Sequence, residues 1–425
     1  MMTNTYKPHV GGVARSVSRF TDEYRKAGHN VLVVAPTYEG ATESTEDVIR
    51  IPAIQNFNGS DFSVILPIPK FLNVRLQKFK PDIVHAHHPF LIGSTAVRAA
   101  GKYEIPLVFT HHTMYERYTH YVPADSPQMK KFAVELATGY ANMCNRVIAP
   151  SESIAGVLKK RGVETPIESI PTGVYVDEFR EGDGKSFRKK LGIPEQALVI
   201  GHLGRLAPEK NLPFLSRAVA GICEKKKDVH FLVIGEGSSK NDIREMFRKK
   251  NIENRLHLAG KLKGRELVDG YHAMDFFAFA STSETQGMVL TEAMAAGLPV
   301  IALDAPGARE VVKDDINGKL IMNEDRREFM QGLEWMASKL KSDGNEMSRE
   351  AGKTSEEFSM RKCAGRCLQL YKDAIKEGGK ERGEAENIWE KAIEQFRTEW
   401  ELFKTMADAA VTAIKESEKR DVQSE

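Results

Sequence analysis

Two glutamates separated by seven residues flank a glycine turn in the segment STSETQGMVLTEAMAAGLPVIA, residues 281–302. A helix is expected to open at Gly287, and its first amides (Gly287, Met288 and Val289) have no partner inside the helix and lie at the positive end of its dipole, which suits a phosphate. Glu292, one to two turns into the helix, can accept hydrogen bonds from vicinal hydroxyls such as those of a ribose. Glu284 would face a sugar attached to the phosphate. The alternative is that both are solvated surface carboxylates.

A short basic loop supplies a second set of candidate side chains. Residues 204–211 (GRLAPEKN) follow an apolar run that predicts a strand. Arg205 and Lys210 can converge on one anion from this single loop. Two cations stabilise the charge on a departing diphosphate when no metal is available. An ordinary basic surface loop is the alternative interpretation.

The first half of the chain offers a glycine loop and a histidine. Gly11 and Gly12, in PHVGGV at 8–13, precede a predicted helix and allow backbone amides to approach a phosphate or an acceptor closely. A glycine turn before any helix of an α/β domain is the plainer explanation. His112 follows a predicted strand, which would place it at the carboxyl edge of a sheet. A lone histidine is more often structural, and the nearby histidines 85, 87, 88 and 111 raise the hypothesis of a metal site.

The elements that must position these residues follow an α/β pattern. Short apolar runs alternate with amphipathic stretches, as in parallel sheets with intervening helices. Strands are predicted at 31–35, 82–85, 107–110 and 146–149, and then at 198–203, 230–234, 256–259, 276–280 and 299–302. Helices are predicted at 15–27, 93–102, 211–225, 240–249, 264–273 and 289–296, and the chain is predicted to be helical from about residue 355.

Two successive sets of this kind predict two Rossmann-like, doubly wound domains that face each other across a cleft. We assign residues 1–172 to the first domain, 173–355 to the second and 356–425 to C-terminal helices, the first of which crosses back to the first domain. Ligands of such sheets bind beyond the carboxyl ends of the strands, so the cleft is the expected active site.

Only three residues precede the first loop. Either the first strand is very short or the chain starts downstream of its natural start, and we favour the second.

Composition limits the classes of function. The 425 residues carry 61 basic and 59 acidic side chains and a net charge of +2, which does not support nucleic-acid binding as the main function. No apolar run of about 18 residues predicts a membrane span, and the first residues do not resemble a signal peptide. Four scattered cysteines indicate free thiols in a reducing compartment. We therefore expect a cytoplasmic protein.

The GRLAPEK loop, the Glu284-x7-Glu292 segment and PTGVYVDEF at 171–179 together resemble family-4 glycosyltransferases, which are retaining enzymes with the GT-B fold. The resemblance runs from Pro8 to about Tyr371. It implies that Arg205 and Lys210 bind the donor diphosphate and stabilise the leaving group, and that Glu292 holds the ribose and Glu284 the transferred sugar. It further implies that His112 orients the sugar and assists in the transition state. The resemblance also implies a donor cradle formed by the backbone of Gln286, Gly287, Met288 and Val289, with Gly11 and Gly12 as the family's glycine loop.

The family resemblance implies a nucleotide-diphosphate sugar as donor substrate, with no metal or other cofactor. UDP-glucose is the favoured donor, and GDP-mannose remains open. No covalent nucleophile is evident, and the leaving phosphate would help to deprotonate the acceptor. The two glutamates lie together on the donor side, unlike the carboxylate pair that flanks the bond in glycosidases.

The acceptor is suggested by two further runs. HAHHPFLIG at 85–93 and HHTMYERYTHYVP at 111–123 resemble the branch of α-monoglucosyldiacylglycerol synthases, or 1,2-diacylglycerol 3-glucosyltransferases. Residues 69–80 form a basic amphipathic stretch, which would either lie peripherally on an anionic bilayer or pack its apolar side on the sheet.

Three other functions stay open at this stage. A transferase could use a soluble sugar or polysaccharide as acceptor, a nucleotide-sugar epimerase shares the same architecture, and a degenerate relative could bind nucleotide or lipid without catalysis. An epimerase would turn over without an acceptor. The sequence predicts neither the oligomeric state nor the role of residues 380–425, including the aromatic segment 389–403.

Overall fold

A computed structural model of the chain describes residues 1–9, 11–38, 40–41, 43–54, 64–65, 70–117 and 126–380, with residues 383 and 391. Almost all of the described chain falls into two α/β units, each built on a parallel sheet. The predicted extension beyond residue 380, with its aromatic segment at 389–403, lies outside the described residues apart from those two positions.

The first sheet is parallel and has a very short central strand. Met2 pairs through single bridges with Val34 on one side and Ala86 on the other, so it joins β1 and β2 to β5–β8. The resulting order is β2-β1-Met2-β5-β6-β7-β8, the arrangement of a doubly wound fold with one added strand. Its strands are β1 (Val33–Pro36), β2 (Val48–Ile51), β5 (Val84–Ala86), β6 (Leu107–Thr110), β7 (Arg146–Ala149) and β8 (Ile167–Ser169); β3 (Ala53–Ile54) and β4 (Val64–Ile65) form a separate antiparallel pair.

The second sheet repeats this topology with six parallel strands in the order β11-β10-β9-β12-β13-β14. Numbered within the domain, the order is 3-2-1-4-5-6, so the strand order reverses between β9 and β12 and a ligand crevice is expected there. The strands are β9 (Leu198–Leu203), β10 (Val229–Ile234), β11 (Leu256–Gly260), β12 (Phe276–Phe279), β13 (Val300–Leu303) and β14 (Gly318–Ile321).

Helices cover the faces of both sheets, and the bounds of α1, α3, α8, α9, α10 and α11 agree closely with the six ranges that the sequence predicts. In the first unit they are α1 (Gly12–Lys26), α2 (Lys70–Phe79), α3 (Ile92–Lys102), α4 (Pro127–Met143) and α5 (Glu152–Lys160). Beyond it are α6 (Val176–Phe179), α7 (Gly184–Lys190), α8 (Leu212–Lys225), α9 (Lys240–Arg248), α10 (Gly264–His272), α11 (Met288–Ala295), α12 (Arg326–Glu357) and α13 (Met360–Glu377).

The last two helices connect the units. Helix α12 packs on the second sheet, where Phe329, Leu333 and Met336 are buried in its core. Helix α13 packs instead against α1, and its Cys363, Cys367 and neighbouring apolar residues share one cluster with residues of α1 and the first sheet. The change of sheet falls between β8 and β9, while the domain limits at 172 and 355 stay predictions.

Helix α2 forms almost all of the described part of the basic amphipathic stretch at 69–80, and it turns two of its leucines inward. Leu72 and Leu76 of α2 are buried in the core of the first unit, as the second of the two sequence interpretations expects. The exposed side carries Val74, with 67% of its surface accessible, and Lys78. The helix is therefore a structural part of the domain, and only its outer side is open to a bilayer.

Gly173 marks a tight crossing between the units. A Cβ added there would lie 2.3 Å from Cα of Met360 and 2.6 Å from its nitrogen, where α13 begins. We expect Gly173→Ala to lower the free energy of unfolding by about 1–3 kcal/mol, because two backbone segments would have to separate. Denaturant unfolding measures the change. Gly156→Ala in α5, where no neighbouring atom lies within 4 Å, is the matched control, and there the substitution should stabilise slightly. Equal effects of both would contradict the packing explanation.

Candidate active site

A cavity of about 860 Å³ lies between the two units at the carboxyl ends of their strands. Both sheets contribute to its walls, as the doubly wound topology predicts. The predicted site residues that line it are Gly11, Gly12, His112, Arg205, Lys210, Glu284, Gln286, Gly287, Met288 and Val289. Glu292 alone among the predicted site residues is not part of this lining.

The basic loop after β9 brings its charges to one wall of the cleft. Pro208–Lys210 forms a turn of 3-10 helix, and Asn211 then takes a left-handed conformation before α8. This turn directs Nζ of Lys210 to Oε1 of Glu284, 2.5 Å away, and Arg205 contacts Glu209. Arg205 is 46% exposed, whereas Lys210 is 17% exposed. The cations of this loop thus lie on the second domain's side of the cavity beside the predicted sugar-binding glutamate.

The turn before α11 supplies backbone groups to the same wall. Gly287 has φ 72°, a left-handed conformation that favours glycine, and within the described residues no side chain caps the first turn of the helix that it opens. The side-chain amide of Gln286 hydrogen-bonds to the backbone of Thr172. It donates to the carbonyl of Thr172 at 2.5 Å and accepts from the Thr172 amide at 2.7 Å. The Gln286 side chain therefore fixes the turn against the interdomain linker.

The structure places Glu292 differently from the expected ribose contact. Its side chain is fully buried, and Oε1 accepts hydrogen bonds from Arg15 and Arg19 of α1, each at 2.9 Å. The Tyr271 hydroxyl donates to Oε2 at 3.3 Å. In this conformation the carboxylate joins the two domains, and a ribose could reach it only if an arginine moved. Sequence reasoning missed both arginines, although their spacing of four residues on a predicted helix puts them on one face.

We expect Glu292→Gln to lower the free energy of unfolding by about 3 kcal/mol, because it removes a fully buried carboxylate that compensates the charge of the largely covered Arg19. Thermal unfolding measures this loss. Arg19→Lys keeps the charge but not the planar fork, so a smaller loss is expected. UDP binding separates the two roles of the glutamate. If Glu292 also holds the ribose, Glu292→Gln weakens UDP and Arg19→Lys does not, whereas unchanged stability in Glu292→Gln would contradict the interdomain role.

Histidines of the first domain form the opposite wall. His112 follows β6, and its Nε2 lies 2.9 Å from Nδ1 of His87, with the two rings stacked. Burial lowers the pKa of His112 to about 3, and it lowers that of His88 to about 3. The pKa of His87 is also well below its usual value because of burial. These rings are therefore neutral at pH 7.

His111 is buried beside them but does not line the cleft. Neither of its ring nitrogens has a hydrogen-bond partner among the described residues. Within that same part of the chain, no three histidine, cysteine or acidic side chains are grouped so as to hold a metal ion.

Direct hydrogen bonds hold the two walls together. The Thr285 hydroxyl donates to the carbonyl of His112 at 2.9 Å, and the Ser151 hydroxyl donates to the carbonyl of Thr285 at 2.8 Å. The Ser153 amide at the start of α5 donates to Glu310 at 2.9 Å. The loop that carries Glu284 thus touches the loop that carries His112, so the cleft is closed along this side.

Comparison with known proteins shows which family the chain resembles. Residues 10–178 match the profile described as Glycosyltransferase Family 4, and residues 183–356 match Glycosyl transferases group 1. An alpha-monoglucosyldiacylglycerol synthase of Streptococcus pneumoniae is 32% identical over 76% of this chain and 75% of its own length. The enzyme of the same name from Acholeplasma laidlawii is 28% identical, covering 89% and 98%.

Other relatives carry different names. A GDP-mannose-dependent alpha-mannosyltransferase of Corynebacterium glutamicum is 27% identical over 88% of each chain. Among solved structures, Anabaena HepE in complex with UDP superposes with a TM-score of 0.69 at 20% identity, covering 88% of this chain and 98% of that one. Within the described residues, no helix is long and apolar enough to cross a bilayer. The motif order, the two profile matches and the pneumococcal relative show that this chain belongs to family 4 of the glycosyltransferases and has their GT-B fold.

Proposed function

We propose that the protein transfers glucose from UDP-glucose to a hydroxyl of a membrane glycerolipid such as 1,2-diacylglycerol, with retention of the anomeric configuration and without a metal ion. The observation that supports this most directly is the single cleft in which Arg205, Lys210, Glu284 and the start of α11 face His112. Cations and free helix amides suit a diphosphate, and the opposite wall leaves room for an acceptor.

The reaction breaks the bond between the sugar C1 and the diphosphate oxygen and forms a bond between C1 and the acceptor oxygen. The electron pair of the broken bond goes to the leaving phosphate, where Arg205 and Lys210 stabilise its charge. The acceptor proton passes to that phosphate. Glu284, ion-paired with Lys210 before the donor binds, would turn to the hydroxyls of the transferred sugar as the phosphates take over the lysine.

The residues that line the first domain's side of the cleft support an uncharged acceptor. Among the described residues of the first domain that line the cleft, Arg15 is the only acidic or basic one, histidines aside, and Glu292 already binds it. A phosphorylated acceptor would be expected to meet a cation there. Diacylglycerol carries no charge, and the names of the S. pneumoniae and A. laidlawii relatives indicate a glycerolipid product.

Peripheral membrane contact fits the same proposal. The outer side of α2 exposes Val74 and Lys78, and each basic residue near an anionic surface contributes about 1 kcal/mol. The mannosyltransferase relative supports a second candidate, transfer from GDP-mannose to another acceptor.

A donor screen followed by a transfer assay tests the function. A nucleotide sugar at about 100 times its Kd should stabilise the fold by about 2.7 kcal/mol, so thermal shift with UDP-glucose and GDP-mannose identifies the donor. Transfer is then measured to dioleoylglycerol in vesicles with and without dioleoylphosphatidylglycerol, with EDTA present, and the product anomer is read by NMR. Turnover of the donor without acceptor to an epimer, or transfer only to soluble sugars, would contradict the proposal.

A further inference from the structure

His88 lies in the cleft but has no role in the proposed reaction so far. It is 7% exposed, sits on the loop after β5 and lines the cavity on the first domain's side. Its Nδ1 accepts the backbone N–H of Asn4 at 3.1 Å. A backbone amide can only donate, so Nδ1 carries no proton. The neutral ring therefore has its proton on Nε2, which makes Nε2 a hydrogen-bond donor.

The position of this ring is held from several sides. The side chain of Asn4 forms two hydrogen bonds to the same loop. Its Nδ2 donates to the carbonyl of Phe90 at 3.1 Å, and its Oδ1 accepts from the amide of Ile92 at 3.3 Å. The Tyr38 hydroxyl donates to the Asn4 carbonyl at 2.6 Å. Three polar groups of Asn4 thus hold the loop that carries His88, and the fourth, its carbonyl, ties Asn4 to Tyr38. A donor held in this way loses little conformational entropy when it binds a ligand.

The location of His88 in the cleft favours the acceptor over the nucleotide as its ligand. The cationic loop and the start of α11 belong to the second domain, whereas His88 lies on the first, beside Thr5 and His112. A neutral donor suits the oxygen of an uncharged hydroxyl group. It does not compete for the hydroxyl proton, which leaves that proton free to pass to the leaving phosphate.

We propose that His88 is a substrate-binding residue whose Nε2–H donates a hydrogen bond to the oxygen of the acceptor hydroxyl and holds it for attack on the sugar. The assignment rests on the proposed glycosyl transfer and names the group that orients its acceptor. Asn4 is a positioning residue in this arrangement, because it acts on the acceptor only through His88.

Two amide substitutions separate substrate binding from a purely structural role. In His88→Asn the side-chain oxygen can replace Nδ1 as acceptor for the Asn4 amide, but the Nε2–H is lost. In His88→Gln the longer side chain can return a donor near the Nε2 position, but the bond from Asn4 is lost. Substrate binding predicts that His88→Asn is the weaker enzyme, and a loop-holding role predicts the reverse. His88→Phe removes both functions, and His111→Phe applies the same change to a neighbouring histidine that does not line the cleft.

The assay uses the full chain, UDP-glucose and dioleoylglycerol in dioleoylphosphatidylglycerol vesicles. We expect kcat/KM for dioleoylglycerol to fall at least tenfold in His88→Asn and His88→Phe, and less in His88→Gln. UDP affinity and the slow hydrolysis of UDP-glucose by water should stay within twofold of the unmodified protein, as should all activities of His111→Phe. Unchanged transfer in His88→Asn, or equal losses of UDP affinity and transfer, would overturn the role of His88. Absence of transfer by the unmodified protein to any lipid would instead refute the proposed function, and with it an acceptor bound at His88.

Discussion

Lys210→Ala is expected to lower kcat for glycosyl transfer by about a hundred- to a thousandfold, the loss seen when one preorganised group that stabilises developing charge is removed. The reason is the position of Lys210, whose side chain is 17% exposed and lines the same cleft wall as the start of α11. In the proposed reaction that charge acts on the departing phosphate, and an electrostatic interaction is stronger in a partly enclosed cleft than in bulk water. Steady-state transfer assays with saturating donor measure the change.

Two companion variants make this result specific. Removal of Lys210 also leaves Glu284 without its ion-pair partner, so the double variant Lys210→Ala with Glu284→Gln tests whether an unpaired carboxylate causes the loss. Activity of the double variant should stay far below that of Glu284→Gln alone if the missing cation is responsible. Lys225→Ala removes an exposed lysine that pairs with Glu334 away from the cleft, and it should leave kcat unchanged. A loss below about fivefold in Lys210→Ala would exclude the lysine as the main stabiliser of the leaving group.

Acid should destabilise the first domain strongly between pH 7 and pH 5. Burial lowers the pKa of His88, His111 and His112 to about 3, whereas a histidine in the unfolded chain titrates near pH 6.5. The stabilising contribution of each neutral ring is therefore complete above pH 6.5. This contribution is lost progressively as pH falls toward 3, because the unfolded state binds protons that the folded state does not bind. At pH 5 each ring contributes a loss of about 2 kcal/mol.

The pH dependence is measured by urea unfolding at pH 7, 6 and 5. Most carboxyl groups remain ionised in this range, so the slope reports chiefly on histidine. His111→Phe removes a buried ring that has no hydrogen-bond partner among the described residues. It should lower the slope of unfolding free energy against pH by up to the contribution of one proton. A slope that is the same in both proteins would show that His111 is protonated in the folded state. A flat profile in the unmodified protein would show this for the whole cluster.

Buried strands were the most predictable part of the fold. The bounds 107–110, 146–149 and 198–203 are identical in the prediction and in the structure, because strands covered on both faces of a parallel sheet are continuous apolar runs. Strands β8 and β14 were missed because half-exposed sequences such as IES and GKLI lack that signal. The C-terminal helical region begins at Arg326, about thirty residues before the predicted point, since α12 is largely charged and its apolar positions are sparse.

The site residues also differ in how far the sequence predicts them. Arg205, Lys210 and Glu284 were predicted from motifs that lie in local loops, and the structure brings them to one cleft wall. The partners of Glu292 were not predictable in this way, because Arg15 is 277 positions away and meets it only when the domains close. Similarly, the hydrogen bond from the Asn4 amide to His88 depends on how the first residues of the chain cross the sheet.

The crossings between the two halves of the molecule have a mechanical consequence. The linker at Val174 and the turn at Ser359 run side by side and are hydrogen-bonded to each other, with Val174 N–H donating to Phe358 and Met360 N–H donating to Val174. Because the two backbone segments that connect the units are hydrogen-bonded to each other, we expect any opening of the cleft to be a rotation about this crossing. Such a rotation would admit a ligand to the cleft without separating the connected segments, and on closure His112 would again face Lys210.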